Sequence, residues 1–420
     1  MKFSLPKGTR DILPSKIGQW KEVCEKAAAL AERFGFSEII TPEFEDTALF
    51  ERGVGKGTDI VTKEMYTFSR SPKESYTLKP EGTAPVIRAY IQNGMGSLPQ
   101  PVKLFYITSC YRAENPQKGR QRQFHQFGAE VIGAASPAAD CEVISLADTF
   151  LKMMDVGEYK LNINSVGCPE CRSDYYALLR AFLEERKDRL CEDCVSRMEL
   201  NPMRVFDCKN ETCQAALVGA PLMLEHLCES CAQHFEGVKE ALDASGIDYV
   251  VNPRIVRGLD YYTNTAFEFI PIEEGTAQST LCAGGRYDGL CEQLGGESTP
   301  GVGFGLGLER LLLAVGEQEA APPYCDLFVA SLGKEALYKA LGIRQQLIRC
   351  GFSVQTDMMG RSLKAQMKFA DKIGAAKVLM IGEDEIASGV GTLRDMKTKE
   401  QVTVPLDDLT ALTEALRTER

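Results

Sequence analysis

Apolar and polar positions follow two different periods along this chain, and the changes of period divide it into segments. Residues 16–34 show helical spacing with alanine-rich filling. "FSEIITPEFED", after Gly35, reads as a strand interrupted by Pro42, and proline inside a strand marks an edge, a bulge or an interface. "PVKLFYITSCYRAE" and "QFHQFGAEVIG" alternate with a period of two and are joined by "NPQKGRQR", which predicts an antiparallel hairpin with a long basic loop. Residues 137–155 read as a helix. From about 167 to 245 the chain turns into charged, cysteine-rich helical segments, the pattern of an inserted module. Strands resume at "YVVNPRIV", and "RGLDYYTNTAFEFI", "STLCAGGRYDGL" and "GVGFGLGLERLLLAV" follow. "GEQEAAPPY" reads as a linker. Beyond it, the short apolar runs "DLFVA", "FSVQTD" and "KVLMIG" are separated by helical stretches at 334–350 and 361–374. That order predicts βαβ units and a small, largely parallel sheet.

The expectation is therefore α+β: a first domain over 1–323 with a mixed, mainly antiparallel sheet and a helical insertion at about 167–245, then a compact α/β domain over 324–420. A chain of 420 residues is long for one core, which agrees with this division. No apolar run approaches the roughly 20 residues that span a bilayer, and the N-terminal "MKFSLPKGTRDILPSK" lacks the apolar centre of a signal peptide. We expect a cytoplasmic protein with no membrane partner. The net charge of -11 disfavours a polyanion, but its distribution changes that reading. From Cys325 to Arg420 there are 14 basic and 13 acidic residues, whereas Lys103 to Gln126 carries five bases and one acid.

Three stretches carry candidate chemistry. In "GVGFGLGLER" the glycines at 301, 303, 305 and 307 share one strand face and leave it bare, while Val302, Phe304, Leu306 and Leu308 pack on the other. A bare face lets a flat ring or a backbone come close, and Arg310, opening the next helix, lies over it. In the hairpin, Arg112 and Glu114 point one way on the first strand, and Gln126 and Glu130 share a face on the second. A guanidinium fork suits a phosphate, and Lys118, Arg120 and Arg122 in the loop suit a larger polyanion. In "LKPEGTAPVIRAY", Thr83 has the ordinary role of a helix cap and Glu81 is placed to hold an ammonium group.

Together these stretches resemble the bacterial histidyl-tRNA synthetases, a family of class II aminoacyl-tRNA synthetases, across nearly the whole chain. "GFSEIITPEFE" resembles the class motif found at the dimer interface, "YRAENPQKGRQRQFHQF" the second motif and "GVGFGLGLERLLL" the third. "RGLDYYTNTAFEF" and "CAGGRYDGL" resemble the two signatures peculiar to histidine enzymes. The resemblance implies activation of L-histidine with ATP and Mg2+, transfer to the 3' end of tRNA(His), a homodimer, and an anticodon-binding domain after the linker. It implies that Arg257 contacts the α-phosphate and the carboxylate, and that Arg112 and Arg310 bind the α- and γ-phosphates with Glu114 near the adenine. Tyr261, Tyr262 and Glu130 would line the histidine pocket, with Glu81, Thr83 and Gln126 on the α-ammonium. Lys118, Arg120 and Arg122 would meet the acceptor end of the tRNA. Asp260 is part of the signature without an assigned role.

Fifteen cysteines and no export signal argue for thiols or metal ligands rather than disulfides. Eight of them fall within 64 residues, as the pairs Cys168/Cys171, Cys191/Cys194, Cys208/Cys213 and Cys228/Cys231. This fits a structural zinc at Cys191, Cys194, Cys208 and Cys213, with the outer two pairs as a second site, or else a reduced, metal-free insert. His226 and His234 are as well explained as surface residues. Two rival functions stand beside the synthetase. One is a catalytically silent paralogue, such as the regulatory subunit of ATP phosphoribosyltransferase, against which the chain keeps Arg112, Arg257, Arg310 and a full C-terminal domain. The other is a nucleic-acid-binding module built on the insert, which leaves the first-half motifs unexplained.

Overall fold

The computed structural model describes residues 3–55, 58–71, 73–256, 258–272, 280–316 and 325–417. The chain forms two units, Met1–Gln318 and Glu319–Arg420. The first is built on an eight-stranded sheet in the order Ser37–Glu38, Val102–Tyr111, Gln123–Ile132, Gly301–Gly307, Cys282–Arg286, Thr263–Pro271, Tyr159–Ser165, Val250–Val251. Pairing is parallel only at the two edges and antiparallel everywhere between.

Period-two patterning gives this sheet one apolar face. Phe105, Phe127, Phe267, Phe269 and Phe304 are buried there, with Phe150 from the helix Pro137–Met153 standing edge-on to Phe127 at 5.1 Å. Each such ring contributes roughly 1.5–3 kcal/mol by leaving water. Ser136 caps that helix by accepting from the Ala138 N–H, and Pro137 occupies the first turn, where its missing donor costs nothing. With this face sealed, the opposite face is left for the hairpin's polar residues and the glycines.

The segment around Pro42 is not one interrupted strand. Ser37–Glu38 pairs with the hairpin, whereas Phe44–Asp46 belongs to a separate three-stranded sheet with Glu74–Leu78 and Tyr66–Ser71. The proline lies in the crossing between the two sheets. The insert is helical as expected, with helices at Pro169–Glu184, Glu192–Leu200, Glu211–Ala216 and Glu229–Ala244. Three of them start immediately after Cys168, Cys191 and Cys228. Each C-x-x-C pair thus spans a first helical turn, so its two sulfurs are delivered to one place.

In the second unit, Val354–Thr356, Cys325–Ser331 and Ala375–Ile381 are parallel, and Val390–Asp395 and Gln401–Pro405 extend the sheet antiparallel. The sequence reading missed this last hairpin. Its turn is fixed by Asp395, whose carboxylate accepts from the Lys397 and Thr398 N–H groups at 2.8 Å each, and by Lys399 at φ 67°.

Candidate functional site

The sheet's second face opens into a cavity of about 340 Å3 between the hairpin, the glycine strand and the turn at 258–262. Its floor explains the four glycines in two ways. A Cβ at Gly301 would lie 2.3 Å from the Tyr287 ring, and one at Gly303 would lie 1.7 Å from Glu130 Oε2. Those two glycines make room for the protein's own side chains. Gly305 and Gly307 have more space and line the cavity, so the face that receives a ligand is half as long as the stripe.

Behind one end, next to the lining residues Thr83 and Tyr106, stands a buried carboxylate. Glu130 is fully buried, its Oε1 accepts from Thr83 Oγ1 at 2.8 Å and Tyr106 Oη at 3.0 Å, and its Oε2 accepts from Tyr287 Oη at 2.6 Å. Burial pushes the Glu130 carboxyl up to about 8, against the pull of the three hydroxyls, which favour the ionised form. Glu81 is also buried and raised by burial, opposed by the N–H groups of Ala84 and Thr83, which it accepts at 2.9 and 2.7 Å. Glu81 therefore caps the helix Thr83–Gln92, and Thr83, its first residue, turns its hydroxyl to Glu130. The cap expected of Thr83 is thus supplied by Glu81. Tyr261 Oη reaches Glu81 at 3.4 Å, and Tyr261 packs between Tyr262 and Tyr287 with ring centroids 4.7 and 5.9 Å away.

Cations gather at the other end. Arg112 is held by the Pro80 carbonyl at 2.9 Å and lies over Phe124. Arg310 donates to the carbonyls of Gly119 and Thr280, both at 2.9 Å, and Arg120 pairs with Glu114 at 2.9 Å. Burial, then the charges of Arg120 and Arg112, lower the Arg310 pKa, a sign of positive charges crowded around space that an anion could fill. Gln126 lines the cavity between the two ends, with Cys110 Sγ 3.3 Å from its Oε1. In the hairpin loop Lys118 is exposed, whereas Arg120 and Arg122 turn inward, Arg122 onto the Glu114 carbonyl at 3.3 Å. Arg257 lies outside the described residues.

The structure thus brings Glu81, Thr83, Gln126, Tyr261 and Tyr262 to one cavity with Arg112, Glu114, Arg120 and Arg310, while Glu130 does not line it and lies buried behind Thr83 and Tyr106, which do. Two residues were overlooked. Tyr106 stands over Gly82 and Gly128, at which a Cβ would meet its ring at 2.2 Å, so a glycine opposite a tyrosine in the hairpin was the available signal. Tyr287 lies within "CAGGRYDGL", but its approach to Gly301 depends on a contact between strands that periodicity does not show. Its neighbour Arg286 is fully buried, bridging Asp140, Asp288 and two backbone carbonyls, and is structural.

The eight cysteines of the insert form two groups, Cys168, Cys171, Cys228, Cys231 and Cys191, Cys194, Cys208, Cys213, each with its sulfurs within 4.8 Å of one another. Contacts such as Cys168–Cys228 and Cys171–Cys231 at 3.8 Å, and Cys191–Cys208 at 3.8 Å, can be set against a tetrahedral zinc. Zinc–sulfur bonds of about 2.3 Å give sulfur–sulfur edges of about 3.8 Å. Both groups fit such an ion.

Residues 8–311 match the family model for histidyl-tRNA synthetase, and residues 326–416 match the anticodon binding domain. A histidine-tRNA ligase of Acetivibrio thermocellus is 50% identical over 409 residues, covering 96% of this chain and 97% of the relative. One from Caldanaerobacter subterraneus subsp. tengcongensis is 51% identical over 407 residues, with coverage of 96% and 97%. The crystal structure of apo S. aureus histidyl-tRNA synthetase superposes with a TM-score of 0.80 at 37% identity, covering 99% of this chain and 100% of that one.

Proposed function

The chain belongs to the histidyl-tRNA synthetase family and joins histidine to tRNA, and from that premise we propose that the cavity is where histidine meets ATP. The observation that carries this reading is the contrast between its ends: hydroxyls backed by a buried glutamate at one, arginines at the other. Histidine lies with its imidazole at Glu130. The ionised carboxylate accepts the ring N–H, and the tyrosine hydroxyls Tyr261 and Tyr262 line the ring's other side. Glu81, Thr83 and Gln126 receive the α-ammonium. A pocket whose buried polar groups need these partners rejects an apolar analogue, because the partners are then left unpaired.

The triphosphate lies along the glycine face, with Arg112 on the α-phosphate, Arg310 on the γ-phosphate and Glu114 near the adenine. The histidine carboxylate attacks the α-phosphorus, and the bond to the β-phosphate oxygen breaks, releasing pyrophosphate and leaving histidyl-adenylate. A hydroxyl of the terminal tRNA ribose then attacks the histidyl carbonyl and AMP departs. The protein acts by positioning and by fixed charge. Arg257 is assigned to the α-phosphate and carboxylate by sequence. Glu268, a carboxylate lining the cavity on the side of Arg310, would hold the magnesium that accompanies ATP, which further neutralises phosphate charge.

Five further assignments belong to this proposal. Lys118, the exposed cation of the loop, meets the acceptor end of the tRNA, with Arg120 and Arg122 behind it. The second unit reads the anticodon through specific contacts to splayed bases, since its charge is nearly balanced. Zinc occupies both cysteine groups and is structural. The chain forms a homodimer through the surface near Pro42, where Ile40, Phe44 and Phe68 stand exposed. No described helix is long and apolar enough to cross a membrane, and we assign the protein to the cytoplasm. The test is ATP–pyrophosphate exchange with each of the twenty amino acids, for the wild type and Arg257→Ala. Exchange with histidine alone, largely lost in the variant, is the expected result; exchange with another amino acid defeats the pocket assignment.

A further inference from the structure

The loop closed by the inner cysteines reaches the turn that carries the two pocket tyrosines. Cys191, Cys194, Cys208 and Cys213 draw together the ends of residues 191–213, and Arg197, Asn201 and Arg204 lie between them. Asn201 Nδ2 donates to Asp260 Oδ1 at 3.0 Å, and Asn201 Oδ1 accepts from Tyr176 Oη at 3.2 Å. The amide is therefore held from both sides and cannot turn without losing a bond. Beside it, Arg197 and Arg204 both reach Asp59 Oδ2, at 3.3 and 3.1 Å, and Arg204 is buried.

Asp260 is fitted on its other sides as well. Its N–H donates to the Val54 carbonyl at 3.1 Å. Gly55, at φ 102°, makes room for its carboxylate: a Cβ there would come within 2.6 Å of Asp260 Oδ2. The next residue is Tyr261, buried and bonded to Glu81. A second tether acts one residue further on. Arg172, adjacent to Cys171, donates from Nε to the Val166 carbonyl at 2.6 Å and from its second nitrogen to the Tyr262 carbonyl.

We infer that Asn201 and Asp260 are positioning residues for histidine activation, through which the cysteine-rich insert sets where Tyr261 and Tyr262 stand in the pocket. The inference rests on the reading that this pocket holds histidine. It gives the signature aspartate a role: Asp260 links the insert to the pocket, and its partner comes from outside the class motifs. Through Asn201 the insert acts on the amino-acid end of the site, separately from Lys209, whose charge lies near Arg120 and Arg310 at the phosphate end.

The experiment is histidine-dependent pyrophosphate exchange with the full chain, over ranges of histidine and of ATP, for Asn201→Ala, Asp260→Ala, the double variant and Asp260→Asn. Loss of one hydrogen bond to a charged group predicts a rise in the histidine KM of about tenfold in each alanine variant. The ATP KM and kcat should stay within about twofold, because only the amino-acid end moves. The double variant should be no worse than either single one, and Asp260→Asn, which keeps an acceptor oxygen, should recover most of the affinity. An unchanged histidine KM in Asn201→Ala, or effects that multiply in the double variant, would overturn the inference. So would a fall in kcat accompanied by a lowered melting temperature, the mark of a merely structural contact. A wild type without histidine-dependent exchange would instead defeat the pocket reading itself, and the inference with it.

Discussion

Replacing Tyr287 by phenylalanine isolates one bond of the histidine end. The ring stays, packed against Gly301, so no cavity beyond one oxygen is opened. What is lost is the 2.6 Å bond to Glu130 Oε2, whose other oxygen keeps Thr83 and Tyr106. A hydrogen bond to a charged group contributes about 1.5–3 kcal/mol. The Tyr287 hydroxyl favours the ionised carboxylate, so its loss pushes the Glu130 pKa further above about 8. Each unit of that rise lowers the ionised fraction at pH 7.5 by up to about tenfold, worth about 1.4 kcal/mol. If ionised Glu130 accepts the imidazole N–H, the histidine KM rises about ten- to hundredfold at pH 7.5, with little change in the ATP KM. The pH profile adds a sign. Affinity for histidine in the wild type improves as pH rises toward 8 and then levels; in Tyr287→Phe it goes on improving beyond that. The assay is exchange at several histidine concentrations between pH 6.5 and 9. Equal KM values and superimposable profiles would refute the assignment of Glu130 as the ionised acceptor.

Three other outcomes follow from the same contacts. Because the Glu130 pKa is raised in the folded state from its ordinary 4.5 to about 8, the folded protein holds the extra proton between those values. Its stabilising share is complete below about 4.5 and is lost as pH rises to about 8, so Glu130→Gln should flatten the fall of the melting temperature across that range; an unchanged slope counts against it. Gly303→Ala places a methyl group 1.7 Å from Glu130 Oε2 and 2.6 Å from the Ala129 carbonyl, and should cost about 1–3 kcal/mol or more of stability. Gly305→Ala, with 3.3 Å to Gln126, should keep the wild-type melting temperature and raise a substrate KM instead, which thermal scans and exchange kinetics separate. Elemental analysis of protein purified without chelator should find two zinc ions per chain, and chelation should lower the melting of the first unit while sparing the second; zinc well below one per chain would contradict the cysteine assignment.

How far the sequence went depends on whether a feature was local. The hairpin, the helix at Pro137 and the inserted module lie in runs of a single period, and the structure has them as read; the expected linker, at 317–324, lies outside the described residues. The cysteine grouping was also legible, since three C-x-x-C pairs sit on first helical turns and only their partnering needed the fold. What escaped was set by contacts between distant strands. Thr83 looked like a cap because threonine often caps; the capping by Glu81 is local, and only the approach of Gln123–Ile132 shows that the Thr83 hydroxyl belongs to Glu130. The glycine stripe spoke of close approach but not of what approaches, and two of its four positions turned out to hold Tyr287 and Glu130. The terminal hairpin of the second unit was missed because its strands, Val390–Asp395 and Gln401–Pro405, mix polar with apolar residues and the second is mostly exposed.

If one cavity has a histidine end and a phosphate end, a crossed kinetic measurement separates them. Pyrophosphate exchange in Glu130→Gln and Arg310→Ala, each over both substrates, yields four KM values against the wild type. The account predicts that Glu130→Gln raises the histidine KM and spares ATP, while Arg310→Ala raises the ATP KM and spares histidine. Variants that shift both constants together, or an Arg310→Ala that acts on histidine alone, would contradict it.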